Sequence, residues 1–429
     1  MNYRNKVSPL YLDDQRLDVF SFWPNYNRDF MMYWEWATDI LTAYIGKEQR
    51  RGLRRYPRCS LEYEVFASKE DRAALANTLL TGQTRTLLSA IWTEEMLLAD
   101  EVLLSESIST ATEAKGSVLP LVNRYFIEGG YLVCLLGPSY YEARQILKVT
   151  ASSVTLDKEV TWVAGSPVYP ALPSRMNSQQ VLDQVTLSYS TAVVTLNCFA
   201  LQKDLYTYIP FKRFLAYPVV EDVLDWGKGE KVTTDYKVQL IDNKTGFPEF
   251  DVLGSAAEVT IDTHWFLSSS PHPLDNKLLR FMQFIHYCRG RLNPFWFPTG
   301  TQDLIAVDIS VKGELVVRDA GLQAAGMDNI GRRYLRIETT DTVHYLKMAY
   351  VKYADFLGKE FIGLYNELGA EYNARKGKEG TSLPFDLADI RMISFLVLAR
   401  LNTDRVEIAY KSTCFATAIL PVRTLINEL

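Results

Sequence analysis

Leu61-Glu62-Tyr63-Glu64-Val65-Phe66 alternates apolar and polar side chains, and Ser68-Lys69-Glu70-Asp71 follows it at once. Leu75, Leu79 and Leu80 then form one stripe, and Gly82 comes after them. Alternation with a period of two predicts a half-buried strand over 61–66. The Ser-x-x-Asp start, the leucine spacing and the glycine predict a capped helix over 69–80. An aromatic-apolar strand ending at Trp92 comes next. The same order returns later in the chain: a strand over 258–266, a helix over 275–288, Gly290, then Asn293-Pro294-Phe295-Trp296-Phe297-Pro298. The second helix carries Leu278, Phe281, Phe284, Ile285 and Cys288 on its apolar stripe. Both halves also close alike. Ser174-Arg175-Met176-Asn177 leads into an alternating stretch over 185–196, and Ala399-Arg400-Leu401-Asn402 leads into another over 406–420.

Internal repetition of this kind predicts a duplicated architecture. The expected fold class is mostly β with a few helices (α+β): tandem β-sandwich or barrel domains, each with a flanking helix. The first domain is expected over 1–205 and the second over 236–429. A linker over 206–235 contains Pro210, Pro218 and Trp226-Gly227-Lys228-Gly229. Further strands are expected over 131–135, 237–241, 304–311, 335–338 and 406–410, with Asp242-Asn243-Lys244-Thr245-Gly246 and Ile127-Glu128-Gly129-Gly130 as turns. A third helix is expected over 353–375, as an insertion near 353–380. Its Gly358, Gly363 and Gly369 each cost about 1 kcal/mol against alanine, and a Lys376-Gly377-Lys378-Glu379-Gly380 loop follows it.

Composition bounds the function. Of the 429 residues, 48% are hydrophobic and 23% charged, which excludes disorder as the main state. Aromatics reach 12%, which favours strands and large contact surfaces. The formal charge of −5 argues against a globally basic nucleic-acid binder. Cys59, Cys134, Cys198, Cys288 and Cys414 show no metal-type spacing and read as free thiols of a reducing compartment. The first residues lack the apolar core of a signal peptide, and the longest apolar run, 131–136, is far too short to span a membrane.

Catalytic constellations do not emerge. GxGxxG, GxxxxGK[ST], HExxH and GxSxG are absent. His264, His272, His286 and His344 share no metal spacing, and the acidic pairs Asp13/Asp14, Glu94/Glu95 and Asp100/Glu101 read as solvated surface. No catalytic, cofactor-binding or metal-ligating residue is nominated, and no cofactor is expected.

Two motifs remain. Six basic residues fall among the twelve from Lys47 to Arg58: Lys47, Arg50, Arg51, Arg54, Arg55 and Arg58. Arginine pairs bidentately with carboxylates and stacks on rings, so this run reads either as a solvated loop with local ion pairs or as a partner contact. A phosphate or DNA contact is the lesser reading. Arg291, Phe295 and Trp296 belong to the second motif. Three consecutive aromatics cannot all be buried on one face of a strand, so they read as core caps or as a contact with a neighbouring subunit. The candidate interface residues are therefore Arg50, Arg51, Arg54, Arg55, Arg58, Arg291, Phe295 and Trp296.

Several of these stretches resemble a known family. Trp36-Ala37-Thr38-Asp39-Ile40-Leu41, Gly46-Lys47-Glu48-Gln49-Arg50, Leu53-Arg54, Pro57-Arg58 and Leu61-Glu62-Tyr63-Glu64 resemble a run in minor tail proteins of long-tailed bacteriophages. The helix followed by Gly290–Pro298 is similar to an element of distal-tail proteins, and Arg400-Leu401-Asn402-Thr403-Asp404-Arg405-Val406 resembles their ends. The stretch 353–380 departs from the pattern. The resemblance implies a structural protein of the virion tail or baseplate, not an enzyme, assembled in the host bacterial cytoplasm. It implies tail-tube-like domains that pair edge to edge into a ring, a trimer of two-domain chains or a hexamer. Implied partners are copies of the chain, the tail tube protein, the tape-measure protein, and baseplate hub or fibre proteins. No membrane is implied, and DNA would pass only transiently through an acidic channel. The aromatic content keeps open a carbohydrate- or receptor-binding tail-tip module, and less strongly a cell-wall glycosidase.

Overall fold

Alternation along the chain becomes a sheet buried on one face. In Arg58–Ser68 the buried residues are Cys59, Leu61, Tyr63, Val65 and Ala67, every second position. The computed structural model describes residues 10–12, 15–43, 47–98, 118–119, 123–137, 140–160, 162–177, 179–199, 206, 211–222, 225–236, 238–242, 244, 246–252, 257–270, 276–326, 331–354, 358–365, 372 and 383–425. The first half supplies β1 (Phe30–Glu35), β2 (Thr38–Thr42), β3 (Glu48–Gly52), β4 (Arg58–Ser68), α1 (Glu70–Gly82), β5 (Leu87–Ala90) and β6 (Tyr131–Gly137). It continues with β7 (Tyr140–Val149), β8 (Pro167–Met176), β9 (Val181–Gln184) and β10 (Tyr189–Cys198). The second half supplies β11 (Lys231–Asp235), β12 (Val238–Ile241), β13 (Glu249–Val252), β14 (Glu258–Ser268), α2 (Lys277–Cys288) and β15 (Phe295–Pro298). It ends with β16 (Tyr334–Thr339), β17 (Val343–Ala354), β18 (Lys359–Tyr365), β19 (Ile390–Leu401), β20 (Arg405–Tyr410) and β21 (Phe415–Thr424).

The fold is mostly β. Its front sheet runs β9-β10-β4-β1-β20-β21-β14-β11, each neighbouring pair antiparallel. Behind it, β8 links β10 to β5 and β6, and β19 links β21 to β15 and β16.

The halves repeat one another register for register. Met31 opposite Glu62 becomes Lys231 opposite Asp262. Leu61 opposite Leu196 becomes Ile261 opposite Val422. Leu182 opposite Ala192 becomes Ile408 opposite Ala418, and Tyr131 opposite Ala171 becomes Tyr334 opposite Leu396. Even the small hairpin after the first strand returns: Thr38 opposite Gly52 becomes Val238 opposite Val252. A one-residue slip would turn every side chain to the other face, so matched registers preserve the same buried set in both halves.

The halves are not separately cored. One hydrophobic core joins Trp34, Leu61, Leu75 and Leu196 to Trp265, Phe281, Phe295 and Leu420. Segments 1–205 and 236–429 therefore share a sheet and a core, and each adds a smaller core of its own. The segment expected as a linker, 206–235, is built into the fold. Phe211, Val219 and Val220 are buried, the Val220 amide donates to the Trp296 carbonyl at 2.9 Å, and β11 closes one end of the sheet.

Four local expectations are corrected. Ser68 does not cap α1, because it is still a ladder residue opposite Tyr189. Lys69 takes the cap position with φ 48, its amide bound to the Ser188 carbonyl at 2.7 Å. Leu75 and Leu79 are buried as expected, whereas Leu80 is exposed. The stretch over 185–196 is two pieces, a turn and then β10. The helix expected over 353–375 is replaced, where described, by the β17–β18 hairpin with Ala354 opposite Lys359. Alternate residues Glu360, Ile362 and Leu364 are buried, and a Cβ on Gly363 would lie 2.5 Å from the Tyr350 ring, so this glycine admits a crossing aromatic. The loop expected at 376–380 lies outside the described residues. Helix α2 forms as read: the Asn276 side chain accepts from the Leu279 amide at 2.8 Å, and Phe281, Met282, Phe284, Ile285 and Cys288 are buried.

Trp296 is fully buried. Its indole N–H donates to the Phe214 carbonyl at 2.7 Å, and its ring packs on Tyr334 at 4.7 Å between centroids. Replacing it with alanine is expected to lower stability by about 3–5 kcal/mol in chemical denaturation; a change below about 1 kcal/mol would contradict this placement.

Candidate assembly surface

Within the front sheet the two halves join through one strand pair. β1 of the first half lies antiparallel to β20 of the second, with Phe30 opposite Tyr410, Met32 opposite Ile408 and Trp34 opposite Val406. All six of these side chains are buried. On the outer face Glu35 stands opposite Arg405 and Tyr33 opposite Glu407, and the Arg405 guanidinium covers the Tyr33 ring at 4.1 Å. Cross-strand pairs of this kind are the unit of sheet stabilisation, each worth about 0.2–1 kcal/mol.

The β2–β3 hairpin then reaches across this seam as an arm. Glu48 on β3 meets Arg400 on β19 in a bidentate pair at 2.7 and 2.8 Å, with 1% and 2% of the two side chains exposed. Arg400 also donates to the Leu401 carbonyl at 2.8 Å. Burial works to raise the Glu48 carboxyl, but the Arg400 hydrogen bonds and charge, aided by Arg423 and Arg50, hold it below the ordinary carboxylate range.

A second clamp sits at the arm's base. The Asp404 carboxylate accepts from the Thr38 amide at 3.0 Å, the Thr38 hydroxyl at 2.8 Å, the Arg291 amide at 3.0 Å and the Arg291 guanidinium at 2.9 and 3.1 Å. Arg291 closes the circuit by donating to the Thr38 carbonyl at 3.0 Å. Burial raises the Asp404 carboxyl, and these donors more than offset it, so it too lies below its usual value. Gly290 makes this approach possible. Its φ is +68, and a Cβ there would lie 2.3 Å from the Asp404 oxygen.

His286 seals the interior of the seam. Its ring lies within 4.5–5.4 Å of the Tyr206, Trp34 and Trp36 rings, and Nε2 makes no hydrogen bond among the described residues. Burial, with the Arg289 charge adding to it, pushes the imidazole down to about 3.

This geometry redistributes the expected interface residues. Arg291 is spent on the Asp404 clamp. Arg54 donates to Glu35 at 3.1 Å, and Arg50 lies largely buried 3.7 Å from Glu48. Phe295 and Trp296 are core residues. The strand carrying them is covered on both faces, so all three consecutive aromatics are buried without sharing a face. Arg50, Phe295 and Trp296 are thus turned inward rather than presented as surface contacts, whereas Arg54 and Arg291, though paired within the chain, keep part of their side chains exposed. Arg51, Arg55 and Arg58 are exposed, Arg55 lying 5.1 Å above the Tyr56 ring. Most tryptophans that could present a flat sugar-binding surface are also internal: Trp34, Trp36, Trp92, Trp162, Trp265 and Trp296 are buried, whereas Trp23 is exposed.

The unpaired edges and the exposed aromatics lie elsewhere. Among the described residues, β9 has a ladder partner only in β10, and β11 only in β14, so the front sheet ends in two open edges. Two exposed aromatic pairs occupy equivalent places on its outer face, Phe66 with Tyr189 at 5.5 Å and Phe266 with Phe415 at 5.8 Å. A cavity of about 340 Å³ lies on the sheet across the seam, lined by Met31, His264, Arg405, Glu407 and Ile419. None of these features was legible in the sequence, because an open edge is defined by a missing neighbour. Among the described residues no group of three or more His, Cys, Asp or Glu could hold a metal ion, and no helix is long and apolar enough to cross a membrane. Comparison of the chain with protein-family models and with curated proteins finds no match.

Arg400→Met takes the two short hydrogen bonds from the buried Glu48 carboxylate, leaving it Arg50 at 3.7 Å and Arg423 at 3.8 Å, and is expected to cost about 3 kcal/mol; adding Glu48→Leu should restore part of it. Urea titrations of the unaltered chain and both variants check this, and equal losses in the single and double variants would contradict it. The unfolded chain protonates His286 near pH 6.5, the folded chain only near pH 3. Stability should therefore fall as pH drops below about 6.5, by on the order of 1–2 kcal/mol at pH 5. His286→Phe should flatten that slope, and an unchanged slope would contradict the burial argument.

Proposed function

We propose that this chain is a structural component of a bacteriophage tail, a ring or adaptor at the distal end of the tail tube or baseplate. It acts by self-assembly and partner docking rather than by transforming a substrate. The observation that carries this reading is the head-to-tail join of two register-matched halves through sheet edges, which among the described residues leaves one edge of each kind open. An association that uses two different edges is heterologous, and repeats into a ring when its rotation closes. Three chains of two units would give six units, the order the family resemblance implies. Ringed assembly also accounts for the arm and the clamps that cross the seam between the halves.

The paired exposed aromatics support docking onto a neighbour. Phe66/Tyr189 and Phe266/Phe415 recur at equivalent positions, so a ring of three chains would present six like contact points to a tube or hub ring of matching order. Such a patch, rimmed by polar strand residues, suits a protein partner. Tail tube, tape-measure, hub or fibre proteins are the partners this reading names. Exposed Arg51, Arg55 and Arg58 remain available for them.

Light scattering coupled to size exclusion, with negative-stain imaging, tests the proposal. The expected species has about three times the 49.0 kDa chain mass and a central opening. A monomer that persists at high concentration would overturn it.

A further inference from the structure

We infer that copies of this chain join by repeating the internal seam: β11 of one copy pairs with β9 of the next, and the β12–β13 hairpin reaches across as an arm. The inference rests on the self-assembly reading above and names its surface, register and occupant.

The matched registers place the seam. β11 is the counterpart of β1, since Val232 stands opposite Ile261 as Met32 stands opposite Leu61. β9 is the counterpart of β20, since Leu182 stands opposite Ala192 as Ile408 stands opposite Ala418. Inside the chain β1 and β20 pair, with Met32 opposite Ile408, Met31 opposite Ala409 and Tyr33 opposite Glu407. Carrying that pairing over to the open edges sets Val232 opposite Leu182, Lys231 opposite Asp183 and Thr233 opposite Val181.

These contacts are complementary, though nothing in one chain requires them to be. Val232 and Leu182 meet on the face that is buried at the internal seam. Val232 is exposed in the single chain, while Leu182 already leans on the core. Lys231 and Asp183 are exposed and carry opposite charges on the outer face. Opposite charges directly across a strand pair stabilise, and like charges would oppose it. A strand edge with unpaired N–H and C=O groups is itself a template for another strand.

The arm gives an independent observation. The β2–β3 hairpin is docked on the second half of its own chain, while Val238, Leu240, Ile241, Phe247 and Phe250 of its counterpart β12–β13 are exposed. Leu240, Phe247 and Phe250 are 56%, 99% and 68% exposed. Large apolar side chains so gathered mark an interaction site. The surface that would receive them is the first half of the next copy, beside Arg175. That residue is the register counterpart of Arg400, yet it is exposed. Pro248 follows Phe247 where Glu48 follows Lys47, so the buried ion pair is replaced by apolar contact.

Paired cysteines test the register. In a Cys414→Ser background, Val181→Cys with Thr233→Cys should crosslink between chains under mild oxidation, giving a covalent ladder that ends at the ring. Val181→Cys with Asp235→Cys, two residues out of register, should crosslink far less. Either single cysteine should give no covalent dimer. Phe247→Ser with Phe250→Ser should weaken assembly several-fold without lowering the melting temperature of the single chain. Asp183→Lys should weaken it likewise, and adding Lys231→Asp should recover it. Rings of unchanged mass with no selective crosslink would overturn this seam and leave the ring reading standing. A covalent dimer from one single-cysteine variant would replace the seam with a like-edge contact. Monomers throughout would overturn both.

Discussion

A β-sheet edge carries a row of backbone donors and acceptors that must find partners, and this constraint organises the molecule. Each half of the chain contributes four strands, with two such edges, to the front sheet. The join of β1 to β20 satisfies one edge of each half and leaves the other two, β9 and β11, at the ends of the eight-stranded sheet. Both remaining edges are short, and β11 carries a lysine, common devices against uncontrolled pairing. They are also unlike one another, which suits a directed head-to-tail contact better than a like-to-like one.

The internal seam is more polar than its burial demands. Glu48 with Arg400, and Asp404 with Arg291 and Thr38, bring four charged groups to a boundary that the core could have closed with apolar side chains alone. Buried ion pairs contribute little net stability against well-packed hydrophobic residues. What they add here is geometry. A bidentate arginine accepts one register and one arm angle, and the five donors on Asp404 tie the β19–β20 turn to the arm base and to the end of α2. His286, neutral among Trp34, Trp36 and Tyr206, completes a boundary that holds at neutral pH and weakens in acid.

Much of this was readable in the sequence, and the rest fails for definite reasons. Alternation in Leu61–Phe66 and its echo after Glu258 mark the duplicated strands because burial on one face leaves a period-two trace. Helix α2 is legible from its apolar stripe and the glycine at 290. Ser68 misleads because a capping pattern and the end of a long strand use the same residue type. The stretch from Tyr353 misleads because glycines and aromatics at helical spacing also suit a hairpin in which Gly363 admits Tyr350. The arginine run is visible by composition, but its role is not: Glu48 finds Arg400 from 352 residues away, and Arg291 finds Asp404 from 113. The shared core across 206–235 is hidden for the same reason, since prolines and Trp-Gly-Lys-Gly look like a linker until the strand they precede is seen to close a sheet.

Amide hydrogen exchange on the assembled protein, compared with the dissociated chain, tests the central claim most directly. The account predicts that the amides of 30–35 and 405–410 are protected in both states, and that those of 231–235 and 181–184 gain protection only on assembly. Equally fast exchange of 231–235 and 181–184 in both states would contradict it.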